Sequence, residues 1–396
     1  MPEGGRAVKS LCTEVGYSSL NKVGEQLCGD SVEYRIDDNG VLVTLADGLG
    51  SGVKASILST LTAKILTTML AGGMSIDSCV ETMVKALPVC KVRGIAYSTF
   101  TIMRVTDNRR AELIQFDNPR AMLFRDGKNC DYPVAMREIA GKQILESSFL
   151  LEEGDVLFAV SDGAVHAGVG RELNYGWTRD SIIQFIEAAY EPEHSAQYYA
   201  GIVAEACGKL YAGQPGDDTT AVAVRLRARH PVSVAFGPPA DPSQDEAMMN
   251  LFFAGEGARI VCGGTTAEIA ARHLKKPRVP SGSYFDPDIP PITILEGVDL
   301  VTEGIVTLSQ VAILAENTLR GGDMAAIWAR GRDGASLIAQ ELIEKATDIR
   351  FFVGRAVNPA HQAEGMPTPL GLKAQLIERL ATSLKKMGKH TTISFY

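Results

Sequence analysis

The chain has 396 residues, 45% of them hydrophobic and 22% charged, with 39 glycines. That length exceeds what one core of typical size uses and predicts two or three domains, and the composition excludes disorder as the main state. A formal net charge of -8 argues against a protein that coats nucleic acid or anionic lipid and directs attention to protein or small-molecule partners.

Residues 1–10 carry charges and glycines where a secretory leader needs an apolar run. No apolar stretch approaches the ~20 residues of a membrane helix, so a cytoplasmic protein without membrane contact is expected. The seven cysteines include no C-x-x-C pair, which predicts small reduced core residues rather than zinc ligands or a disulfide frame. Only Cys28, beside Gly29-Asp30, and Cys262, beside Gly263-Gly264, adjoin segments with functional character.

In chain order, apolar segments 31–36 and 41–46 flank Asp37-Asp38-Asn39-Gly40, where asparagine and glycine tolerate positive φ and predict a hairpin. A helix is predicted over 52–71, with Ile57, Leu61, Ile65 and Met69 at fourfold spacing and Gly72-Gly73 at its end. A second covers 77–87 and stops at Pro88. Short β-like runs follow at 97–105, 111–116, 121–125, 149–151 and 156–160, then helices at 179–190 and 196–211 and a strand at 220–226. Grouped strands with paired helices indicate a layered α+β domain. Four prolines and no periodicity over 227–244 predict a linker or domain edge near residue 230. Beyond it come strand 259–262, helix 266–274, strands 292–295 and 300–301, helices 305–317 and 335–346, strand 349–353, helix 370–387 and strand 391–395. This alternation predicts a smaller α/β domain with a mainly parallel sheet, giving domains 1–228 and 229–396.

Four acidic motifs adjoin predicted strands of the first half: Gly29-Asp30-Ser31, Asp47-Gly48-Leu49-Gly50-Ser51-Gly52, Ser161-Asp162-Gly163 and Gly216-Asp217-Asp218-Thr219. A single Asp-Gly is ordinarily a turn, and Asp37-Asp38 and Asp126-Gly127 are read so. The glycine-rich run after Asp47 lacks the distal acidic residue of a dinucleotide loop, and its aspartate would repel a pyrophosphate. Carboxylates converging at strand ends would repel one another without cations between them, and hard oxygen ligands suit magnesium or manganese.

The order of these motifs resembles the metal-dependent PPM (PP2C-like) protein phosphatases, most closely the branch typified by the sporulation phosphatase SpoIIE. Lys22-Val23-Gly24-Glu25, Leu45-Ala46 before Asp47, Tyr97-Ser98-Thr99-Phe100, Asn118-Pro119, Val160 before Ser161 and Thr219-Thr220-Ala221-Val222 extend the likeness over about residues 10–227. The resemblance implies an α-β-β-α sandwich holding two divalent cations, manganese or magnesium. It implies that Asp47 bridges both ions, that Gly48 offers its carbonyl and Asp30 its carboxylate to one, and that Asp162 and Asp217 complete the other with Asp218 behind them. Asp47 and Asp30 would thereby be the catalytic pair, and a metal-activated water would attack a phosphoserine or phosphothreonine of a regulatory protein. Two departures stand out. The histidine that follows Asp-Gly in eukaryotic relatives is Leu49, and no arginine precedes Asp30, Lys22 being the nearest cation. The alternative is a catalytically weak regulator that binds phosphoproteins through the retained metal site.

Residues 229–396 carry no family resemblance. Gly263-Gly264-Thr265-Thr266 follows an apolar strand and opens a helix, a geometry that can hold an anion, although Thr265 or Thr266 can equally cap the helix. Together with Glu303, in Thr302-Glu303-Gly304, and with Asn358 and His361, these residues define an expected cleft for a small-molecule or protein effector.

Overall fold

The computed structural model of the protein describes residues 10–86, 98–280, 292–319, 331–356 and 369–396. The chain divides into two compact units, Met1–Ala228 and Arg229–Tyr396.

The first unit is built on two antiparallel sheets. One contains β1 (Leu11–Leu20), β6 (Met122–Arg125), β7 (Lys128–Cys130), β10 (Val156–Val160) and β11 (Thr219–Ala228) in the order β1-β11-β10-β6-β7. The other contains β2 (Asp30–Asp37), β3 (Gly40–Gly48), β4 (Ser98–Thr106), β5 (Arg110–Phe116), β8 (Ala135–Ile139) and β9 (Lys142–Leu150) in the order β2-β3-β4-β5-β9-β8. Period-two alternation explains the layers. Val41, Val43 and Leu45 of β3 meet Val222, Val224 and Leu226 of β11 in the core between the sheets. Leu42 and Ala46 face the other way, onto α1 (Gly52–Ala71) and α2 (Ile76–Ala86), while Ala221 and Ala223 of β11 pack beneath α4 (Arg179–Ala188) and α5 (Ala196–Leu210). The result is an α-β-β-α sandwich. The helices α4 and α5 start on hydroxyl caps, Thr178 accepting from the Ser181 N–H and Ser195 from the Tyr198 N–H.

Several sequence expectations change here. The 38–39 turn closes the β2–β3 hairpin, but neither Asn39 nor Gly40 has a positive φ. Gly40 is required instead by proximity, since a Cβ there would lie 2.0 Å from the Val105 carbonyl oxygen. On α1 the buried face is Leu58, Thr62, Leu66 and Leu70, whereas Ile57 and Leu61 of the fourfold row are exposed. Sheet packing at close range selects the small and threonine-rich face. Contrary to the expectation that no stretch would do so, α1 has the length and apolar composition to cross a membrane, although 44% of its apolar window is buried inside this unit. Its buried residues line the core beneath the β3 sheet.

The 227–244 segment is not a long linker. Strand β11 runs to Ala228 and β12 (Pro231–Phe236) begins three residues later, leaving only Arg229 and His230 between them. In the second unit β13 (Ala258–Cys262), β16 (Leu300–Thr302), β17 (Asp348–Val353) and β18 (His390–Phe395) join β12 in a parallel sheet of order β16-β13-β12-β17-β18. Antiparallel β15 (Thr293–Ile294) and β14 (Val279–Pro280) extend its edge. Helices α6 (Asp245–Ala254) and α7 (Gly264–Leu274) cover one face. The other is covered by α8 (Ile305–Leu319), by α9 (Gly334–Ala339) with a π-helical turn at Gln340–Lys345, and by α10 (Pro369–Lys386).

Strand β1 and helix α5 touch without a side chain between them. A Cβ on Gly16 would lie 2.1 Å from the Gln197 backbone nitrogen, and the Gln197 side chain accepts from the Tyr17 N–H and donates to the Tyr17 carbonyl. Gly16→Ala is therefore expected to destabilise the first unit by about 1–3 kcal/mol through overpacking. Urea titration checks this, and an unchanged midpoint would refute the close-contact account.

Candidate functional site

The acidic motifs meet at one end of the sandwich. Asp30 opens β2 and lies directly opposite Asp47 at the end of β3. Asp162 follows β10 at the start of the short helix α3 (Asp162–Val165), and Asp217-Asp218 precede β11. Glycines permit the convergence. A Cβ on Gly163 would lie 2.1 Å from the Asp218 carbonyl oxygen, and one on Gly48 would lie 2.1 Å from the Ala55 carbonyl oxygen of α1. Gly48 is thus fixed beneath the first turn of that helix, with its N–H donating to the Gly29 carbonyl at 3.1 Å.

Ser161 joins the two sheets at this point. Its hydroxyl donates to Asp30 Oδ2 at 2.7 Å and accepts from the Thr220 N–H at 2.8 Å. Asp218 Oδ1 accepts from the Lys22 N–H at 3.0 Å, and Lys22 Nζ stands 3.6 Å from Asp217 Oδ1. Asn118 accepts from the Thr99 hydroxyl on the strand next to Asp47. At the glycine-rich turn after Asp47, Ser51 donates to Glu25 at 3.1 Å.

Crowding sets the electrostatics. Burial pushes the Asp30 carboxyl up, assisted by the charges of Asp218 and Asp162 and opposed by hydrogen bonds from Ser161 and Thr220. Burial also pushes up Asp47, reinforced by Asp30 and Asp162, the latter within hydrogen-bond reach. Asp217 rises through burial, with Lys22 opposing the rise and Asp162 adding to it. Cys28 is no thiolate, because burial raises it to about 12.

Among the described residues no group of three or more His, Cys, Asp or Glu side chains is gathered tightly enough to enclose one ion. The donor chemistry nevertheless fits hard cations. Asp30 Oδ1 and Asp218 Oδ2 are buried and receive no hydrogen bond among the described residues, and an acceptor-only oxygen in that state lacks a positive partner. Asp30, Asp47, Asp162, Asp217 and the Gly48 segment are thus brought to one place, with Asp218 beside Gly29. The contacts of Ser161, Thr220 and Glu25 could not be foreseen from their own residue types. Ser161 left one local signal, a hydroxyl residue between a buried strand and Asp-Gly.

Residues 37–227 match the sequence model of the family described as Stage II sporulation protein E (SpoIIE). These residues form a SpoIIE-family domain. It belongs to the PP2C-like SpoIIE branch, and its sandwich is the fold described above. No curated protein matches the chain. Among solved structures, the PP2C phosphatase domain with a regulatory-domain fragment of SpoIIE from Bacillus subtilis is 21% identical, with a TM-score of 0.48, over 57% of this chain and 66% of that one. The phosphatase domain of the same protein, in a crystal form without domain swapping, is 20% identical, with a TM-score of 0.43, over 56% and 95%. The catalytic domain of the serine/threonine phosphatase PstP, in complex with two manganese ions, is 16% identical, with a TM-score of 0.37, over 55% and 99%.

The second unit lies outside the family match. Within it, the Gly263 N–H donates to the Thr302 carbonyl at 2.9 Å, which brings the Gly263–Thr266 and Thr302–Gly304 segments side by side. Thr266 does not cap α7, whose N-cap is Gly263, and Glu303 accepts from the Val306 N–H at 3.2 Å. Cys262 is a core thiol raised to about 12 by burial. Asn358 and His361 lie outside the described residues.

The raised carboxylates of the SpoIIE-family domain carry a sign. Each binds its proton more tightly folded than unfolded, so its contribution favours folding at low pH and is lost as pH rises from the ordinary carboxylate range through the raised one. In EDTA the protein should melt lower at pH 8 than at pH 6. Manganese should restore the midpoint, more at pH 8 than at pH 6, and Asp47→Asn should reduce both effects. Thermal denaturation at the two pH values checks this, and equal manganese stabilisation of wild type and Asp47→Asn would contradict it.

Proposed function

We propose that the SpoIIE-family domain is a metal-dependent phosphatase acting on phosphoserine or phosphothreonine of a regulatory protein. The observation that carries the reading is the convergence of four acidic motifs from both sheets, with buried carboxylate oxygens that receive no hydrogen bond. Asp30, Asp47, Asp162, Asp217 and the Gly48 carbonyl would hold two divalent cations, manganese or magnesium. Such ions, when bound, lower the pKa of water toward neutrality and offset charge on phosphoryl oxygens.

The chain's own residues do the positioning. Ser161 fixes the Asp30 carboxylate to the neighbouring sheet, and the β2–β3 register sets Asp30 against Asp47. Lys22, beside Asp217, offers one cation to a phosphoryl oxygen entering from solvent. The half-buried Cys28 thiol is protonated at neutral pH, which disfavours a cysteinyl-phosphate route. Leu49 has no proton to give, so a poor leaving group must take its proton from water.

Asp47→Asn, nearly isosteric, is expected to lower metal-dependent phosphatase turnover by at least ~100-fold, because that carboxylate would touch both ions. Steady-state assays with a phosphoserine peptide and with p-nitrophenyl phosphate measure it. Activity that persists in excess EDTA, or in Asp47→Asn, sinks the metal-dependent assignment, whereas wild type without metal-dependent hydrolysis of either substrate favours a phosphoprotein-binding regulator. Leu49→His should help the phosphoserine peptide more than p-nitrophenyl phosphate, whose leaving group needs little protonation. Equal effects on both substrates would reject the missing-acid account.

A further inference from the structure

The parallel strands of the second unit run in the order third, second, first, fourth, fifth along the chain, the arrangement of dinucleotide-binding sheets, whose ligands sit beyond the carboxyl ends of the strands. The helix after the first strand does not offer the usual phosphate seat. Its approach, Gly237-Pro238-Pro239-Ala240-Asp241-Pro242, includes three residues without an N–H, Asp241 is engaged in its own turn, and the first turn of α6 carries Asp245 and Glu246. Helix α8 is closed by the Glu303 carboxylate on the Val306 N–H, and α9 by Asp333 on the Ser336 N–H.

Helix α7 differs in kind. It has 11 residues, a glycine at its N-cap, no side-chain cap and no acidic residue in its first turn. Gly264 and Thr265 are exposed, and a Cβ on Gly264 would meet nothing within 4 Å. A second observation is independent of the helix end. Thr266 is wholly buried, its Oγ1 has no hydrogen-bond partner among the described residues, and that oxygen lies 3.4 Å from where a Cβ on Gly263 would stand, beside the N-cap. A helical threonine hydroxyl ordinarily bonds back to a carbonyl of the preceding turn. This one does not. Arg278 adds positive charge, donating to the Gly264 carbonyl at 3.1 Å while pairing with Glu268 at 2.8 Å.

We propose that the start of α7 binds the phosphoryl group of a small phosphorylated metabolite of nucleotide class, with the first-turn backbone N–H groups of Gly264 and Thr265 and the Thr266 hydroxyl as donors and Arg278 as neighbouring cation. Three donors at a helix N-terminus match a group with three terminal oxygens better than a planar carboxylate. The inference stands apart from the phosphatase reading, since it involves no residue before Gly263.

The test is calorimetry on the full chain in EDTA, titrated separately with inorganic phosphate, AMP and acetate. Phosphate and AMP should bind and acetate should not. AMP binding tighter than phosphate identifies a nucleotide, and equal affinities identify the phosphoryl group alone. Gly264→Val fills the open space at the helix start without an internal clash and should weaken phosphate binding at least about tenfold. Thr266→Val removes a hydroxyl that is buried without a partner. It should melt at or above the wild-type midpoint yet bind phosphate about fivefold more weakly. The proposal is overturned if wild type binds neither phosphate nor AMP, or if Thr266→Val binds phosphate as wild type does. The valine at 266 decides the matter even if the one at 264 fails to fold.

Discussion

Like charges held close together are the constraint on which the first unit is organised. Burial and the neighbouring carboxylates raise the proton affinity of Asp30, Asp47 and Asp217, so the approach of these groups opposes folding and must be imposed by everything around it. The imposing elements are strands whose register is fixed by three packed layers. Slipping β2 by one residue against β3 would turn Val32 and Tyr34 out of the inter-sheet core as well as separating Asp30 from Asp47. The hydrophobic layers therefore position the carboxylates, and the Ser161 hydroxyl, bonded to Asp30 and Thr220, ties the sheets together at the point of greatest repulsion.

Glycine acts here through absent volume. Gly48, Gly163 and Gly29 lie where a Cβ would strike the Ala55 carbonyl, the Asp218 carbonyl and the Asp218 carboxylate, so each acidic segment comes close because its neighbour has no side chain. The same device operates away from the site at Gly16 and Gly40, which let α5 approach β1 and the β2–β3 turn approach β4. An Asp-Gly pair in this chain thus has two physical meanings. At Asp126-Gly127 both residues have positive φ and make a tight turn, while Gly48 and Gly163 have none and serve proximity.

This distinction explains what could be read before the structure. Elements with strong period or clear punctuation were legible: 52–71 and 156–160 were located as α1 and β10, and the β2–β3 hairpin was found although positive φ is not its cause. Strand β1 was missed because Leu11–Leu20 sets serine, threonine, glycine and glutamate among its apolar residues without regular alternation, and its burial comes from β11 and α5 rather than from its own pattern. Strand β12 and helix α6 were obscured by the prolines between 231 and 242, which sit at the first strand residue and in the turn, where a missing N–H is tolerated. The apolar row of α1 misled for the opposite reason. Ile57 and Leu61 have the right spacing, but sheet packing took the adjacent face. The acidic residues were legible because their types and order carry the chemistry. Ser161 and Thr220 were not, because hydroxyl residues in strands are common and their partners are distant in sequence.

The two units meet opposite electrostatic problems with the same kind of backbone. In the first, Asp30 and Asp218 each keep one buried oxygen without a donor among the described residues, a demand that a cation would meet on the proposed reading. In the second, parallel strands deliver helices whose starts expose N–H donors, and each such start must find an acceptor. Asp333 and Glu303 satisfy two of them from within the chain. At α7 the acceptor position holds Gly263, which has no side chain to give, and the Thr266 hydroxyl is buried without a partner among the described residues. A fold that closes its neighbouring helix starts with its own carboxylates, yet leaves this one open beside a buried donor, has kept an anion-sized requirement that no described residue of the chain fills.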